Sequence, residues 1–124
     1  DLRTHLHAPR LSSATEAEAE EKAAHNARAI EALFDRFPQP GSGRDVLFAN
    51  DVTPYLQAGC ASTLIGKIGR ADVTTLVVNG YWGQRLGDSA LSRREREQTR
   101  RLREHFASHG QVLDLGGEPQ GGRA

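Results

Sequence analysis

Val46-Leu47-Phe48-Ala49-Asn50-Asp51-Val52-Thr53-Pro54, followed one helix later by Val73-Thr74-Thr75-Leu76-Val77-Val78-Asn79, is the stretch that decides the fold. Each part holds a short unbroken apolar run, Val46 to Phe48 and Leu76 to Val78. Such runs mark strands covered on both faces of a parallel sheet. Between them Thr53-Pro54 supplies a capping hydroxyl and a proline at the first helical position. Leu56, Cys60, Leu64 and Ile68 then recur every four residues, giving a helix face turned to the sheet. On that spacing Cys60 is a small packing residue in mid-helix. Gly66 and Gly69 weaken and then stop the helix.

Upstream, Asp1 to Ser13 lacks periodicity and carries Pro9, so residues 1–13 read as an extended arm. His5 and His7 fall on one side of it, but two nitrogens do not complete a zinc site and no metal is expected. Ser13-Ala14-Thr15-Glu16 announces a helix that starts near Ser13 or Thr15 and runs to about Phe37. Its Glu-rich opening suits the positive end of the helix dipole. The apolar stripe of Ala23, Ala27, Ile30, Leu33, Phe34 and Phe37 occupies only its second half, so the first half projects or meets a partner. His25 beside this stripe reads as structural. Pro38 to Gly43 forms the loop into the first strand, and Gly41-Ser42-Gly43 is a turn, because phosphate loops follow a strand and open a helix.

Downstream, Gly80-Tyr81-Trp82-Gly83 puts the single tryptophan at the carboxyl end of the second strand. Ligands bind at that edge of open parallel sheets. Asn50, Asp51, Asn79, Tyr81, Trp82 and Glu118 are therefore the crevice candidates, with Asp51 as base or ligand and Trp82 as a stacking wall. Gly87-Asp88-Ser89 leads into a helix capped by Asp88, Ser89 or Ser92 and reaching about Ser108. Leu91, Leu102 and Phe106 are its large apolar anchors. Arg93, Arg96, Arg100, Arg101 and Arg103 offer guanidinium groups to a partner, partly neutralised by Glu95, Glu97 and Glu104. Val112 to Leu115 completes a third strand after Gly110, and residues 116–124 form a glycine-rich tail.

The chain has 124 residues, the size of one small domain, with 16 basic and 16 acidic side chains, so net charge selects neither nucleic acid nor membrane. No apolar run approaches the ~20 residues that span a bilayer, so no membrane insertion is expected. One cysteine excludes a disulfide within the chain. An intracellular setting, cytoplasm or organelle matrix, is the expectation. A chain without methionine that begins with Asp1 reads as processed, or as part of something longer.

Three stretches resemble known families. VLFANDVTP, residues 46 to 54, resembles the strand-to-helix segment of the ribosomal proteins that bind kink-turn RNA, which implies an α/β/α sandwich and an RNA partner. The Asn-Glu and Lys signature of that family is absent upstream, so no binding residue carries over. The segment from Asp72 to Pro119 is similar to the later part of SGNH-type acyl esterases, without their serine-bearing strand or terminal Asp-His pair. VLDLGGEPQGG, residues 112 to 122, resembles the glycine loop of nucleotide-type methyltransferases, with no following helix before Ala124.

The expected fold is one α/β domain over residues 14–115, in α-β-α-β-α-β order, with a small, mainly parallel three-stranded sheet and helices packed on it. The expected function is a non-catalytic subunit or interaction domain that meets protein partners through its acidic first helix and Arg-rich last helix, with no cofactor. The alternatives are a small enzyme or ligand-binding domain using the strand-end crevice, and an RNA-binding protein.

Overall fold

The computed structural model describes residues 5–9, 13–36, 46–70, 74–82 and 89–115. Its elements are α1 (Glu16–Asp35), β1 (Val46–Ala49), α2 (Thr53–Leu56), α3 (Ala61–Gly69), β2 (Thr75–Val78) and α4 (Ala90–His109). Helices and a parallel sheet are both present, and β1 pairs with β2 in the register Val46 with Thr75 through Ala49 with Val78.

The helix starts follow local chemistry. Thr15 caps α1 by accepting from the Glu18 N–H at 3.1 Å, while Glu18 accepts from the Ala14 N–H at 3.2 Å. This reciprocal box sits two residues beyond the expected Ser13-Glu16 pairing. The Ala14 contact, and then Lys22, hold the Glu18 carboxyl below its ordinary pKa. Ser89 caps α4, its hydroxyl accepting from the Ser92 N–H at 3.1 Å.

Three expectations need correction. The sheet has two strands among the described residues, not three, because Gln111 to Leu115 carry no strand pairing and leave Leu113 and Leu115 exposed. Nor, among the described residues, is it covered on both faces. Leu47, Ala49, Leu76 and Val78 pack on the core, while Val46 and Phe48, each 59% exposed, and Val77, 41% exposed, occupy the opposite face. Third, the helix after β1 is broken at Gln57 to Cys60. Cys60 is the exposed N-cap of α3, not a buried mid-helix residue.

The break has local causes. A Cβ at Gly59 would stand 2.3 Å from Cζ of Tyr55, so the backbone there lies directly against the tyrosine ring. Arg94 of α4 donates to the freed Ala58 and Gly59 carbonyls at 2.9 and 3.1 Å, and Gln98 accepts from the Ala61 N–H at 2.8 Å. Side chains of α4 thus supply the caps that a broken helix requires.

The core lies chiefly among the helices, around Ala27, Val52, Tyr55, Leu56, Leu64, Ile68 and Leu102. α1, α3 and α4 all touch one another, and the sheet flanks this cluster. On α4 the buried positions are Leu91, Ser92, Glu95, Thr99 and Leu102. Glu95, expected on the charged surface, is fully buried, accepting from Nε2 of Gln57 at 2.9 Å. His7 is tied to α1 by Asn26, which accepts from the His7 N–H at 2.8 Å and donates to the His7 carbonyl at 3.0 Å.

Candidate functional site

Parallel pairing brings the ends of β1 and β2 together, and with them most of the residues expected to form a crevice. The Asn79 N–H donates to the Ala49 carbonyl at 3.1 Å, and the Asn79 carbonyl accepts from the Val52 N–H at 2.9 Å. The Asn79 amide then joins the two residues that follow β1, accepting from the Asp51 N–H and donating to Oδ1 of Asn50 at 2.9 Å. Asp51 has φ 55°, a left-handed conformation that Asp tolerates better than most residues. From there its Oδ1 accepts from the N–H of Thr53, the first residue of α2, at 3.2 Å, although the N-cap position itself is Val52. The Thr53 hydroxyl, expected to be the cap, instead accepts from the Tyr81 N–H at 2.8 Å.

Asn50, Asp51, Asn79 and Tyr81 therefore do converge. Their polar groups bind one another and the backbone, locking the strand ends to the start of α2. Glu118 lies outside the described residues, as do Gly41-Ser42-Gly43 and the tail.

Trp82 faces a different feature. Its ring lies under the Arg103 guanidinium, 4.7 Å from ring centroid to Cζ. Together they border a groove of about 1010 Å³ between β2, the second half of α4 and residues 111–115. Phe48, Leu56, Leu102, Phe106 and Leu113 make its walls largely apolar, with Arg103 and Asp114 as its charged members among the described residues. The expected third strand is thus a wall of this groove.

The other arginines of α4 are differently employed. Arg100 is held between Glu97, at 2.7 Å, and Glu104, and Arg101 meets Glu97 at 3.0 Å. These contacts, Arg100 first, pull the Glu97 carboxyl down to about 2 and raise the Arg100 guanidinium above its ordinary value. Arg93 is exposed and Arg96 half-buried. The row of guanidinium groups read from sequence is in good part an intrahelical network, with Arg94 and Arg103 turned to tasks elsewhere in the fold.

Sequence reasoning missed the groove itself, the Glu95–Gln57 pair and the Asn26 clamp. Only the helical spacing of Ser92, Glu95 and Thr99 with Leu91 and Leu102 signalled the buried polar stripe. Among the described residues no group of three or more His, Cys, Asp or Glu is placed to hold a metal ion. No helix among them is long and apolar enough to cross a membrane. Comparison of the chain with known protein families, with characterised proteins and with solved structures finds no match.

Proposed function

We propose that this chain is a non-catalytic interaction module, a subunit or domain of a larger assembly, whose main contact is the apolar face of its sheet together with the adjoining groove. The observation that carries this reading is the exposure of Val46, Phe48 and Val77 on one sheet face, continued by Tyr81 at 41% and Trp82 at 39%. A soluble chain rarely leaves adjoining large apolar groups in water unless something covers them. The patch has an aromatic centre and no charge at Val46, Phe48, Thr75 or Val77. It therefore fits an apolar protein surface better than a polyanion, with the charged helices as the rim.

Site-specific photocrosslinking tests the reading. A benzophenone side chain replacing Phe48 should yield a discrete crosslinked species in the native complex, competed away by untagged protein. The same group replacing exposed Ser62 on α3 should not. Equal yields at the two positions, or none at Phe48, would remove the apolar face as the contact.

A further inference from the structure

We infer that the groove beside β2 receives an extended apolar segment of a protein partner, which adds to the sheet as a strand and sets a carboxylate on Arg103. This rests on the interaction-module reading and names what enters that surface.

The course of the groove is the first argument. Leu76, Val77, Val78 and Asn79 all line it, whereas β1 contributes only Phe48. Successive residues of a strand point to opposite faces, so a groove touched by three strand residues in a row, and by Asn79 just beyond them, runs along the strand's edge. β1 occupies one edge of β2, and the groove follows the other. Among the described residues no strand pairs with that second edge. Its backbone N–H and C=O groups form a row that another extended chain can match, and that a helix or a small amphiphile cannot.

Side chains set the chemistry of the occupant. The apolar walls call for apolar side chains on the incoming segment. Arg103 supplies the polar requirement. Its guanidinium stacks on the Trp82 ring, and among the described residues it makes no hydrogen bond and has no carboxylate within ion-pairing reach. Stacking on the indole holds the planar guanidinium still, so its remaining donors meet a carboxylate with little further ordering.

The test uses the whole chain and the blocked pentapeptide Gln-Val-Leu-Asp-Leu, whose sequence is that of residues 111–115 and combines apolar side chains with an acid. Titration should change the fluorescence of the single tryptophan saturably and slow hydrogen exchange at the β2 amides that face away from β1. Replacing the peptide's Asp by Asn should weaken binding about fivefold, and should have no such effect against Arg103→Gln. Because this comparison varies the peptide, it does not depend on a variant that folds poorly. Three results would overturn the inference: saturable fluorescence with unchanged β2 exchange, β2 amides already protected without peptide, or the same fivefold loss in Arg103→Gln. Absence of any binding would do so too. If crosslinking at Phe48 succeeds while the peptide fails, only the strand-addition inference falls.

Discussion

Gly59 and Gly66 show how the same residue type carries opposite meanings. Tyr55 is 1% exposed, and its hydroxyl donates to Oε2 of Glu31 at 2.9 Å. Burial first, and then Glu31, push the phenol pKa above its ordinary range, so the hydroxyl remains a donor. The ring is held at both ends and cannot swing away from a Cβ at Gly59. Gly59→Ala should therefore destabilise the fold by about 2–3 kcal/mol, as overpacking does. A Cβ at Gly66 meets nothing within 4 Å, in the exposed interior of α3. Gly66→Ala should stabilise by roughly 0.5–1 kcal/mol through helix propensity. Urea denaturation followed by circular dichroism measures both; an unchanged midpoint for Gly59→Ala would refute the close approach. The role of Gly66 was legible from its place in an apolar period. That of Gly59 was not, because the same period runs through Leu56, Cys60 and Leu64 and conceals the break.

At the scale of the element, α4 explains why sequence and structure part. Its ends were legible, since Ser89 is a good cap and Gly110 a good stop, but three of its five buried positions are polar. Leu91 and Leu102 advertise the inner face, while Ser92, Glu95 and Thr99 complete it with side chains that ordinarily mark an outer one. The outer face in turn carries the Glu97, Arg100, Arg101 and Glu104 network. A carboxylate whose folded pKa lies below its unfolded value contributes stability that is complete above the unfolded value and is lost as pH falls to the folded one. For Glu97 that window runs from 4.5 down to about 2. Acid titration should therefore show α4 losing support across this range, seen as a falling thermal midpoint. Glu97→Gln should flatten that part of the curve and leave the region above pH 6 parallel to the parent. Identical acid limbs in parent and variant would show that the network adds nothing to stability, which is the ordinary fate of exposed pairs when they are not networked.

For the whole molecule, sequence pattern revealed the strand-helix-strand unit and the meeting of Asn50, Asp51 and Asn79, because alternating helix and strand periods with turn residues between them are local signals. It could not reveal how much of the sheet is covered. An unbroken run such as Val46 to Phe48 is apolar on both faces whether the second face meets a helix of its own chain or another molecule. Val112 to Leu115 had the composition of a strand, and only the path of the chain after α4 makes it a groove wall. The bare face supplies the decisive measurement. Phe48 and Val77 are register partners pointing the same way, so Phe48→Lys with Val77→Glu places opposite charges side by side on it. If a partner covers that face, the double variant should stay within about 1 kcal/mol of the parent in stability, because the altered groups are already in water. It should also be more soluble, bind less of a hydrophobic dye and lose the partner. If the variant unfolds instead, the face is covered by the chain itself, and the interaction-module reading loses the surface on which it rests.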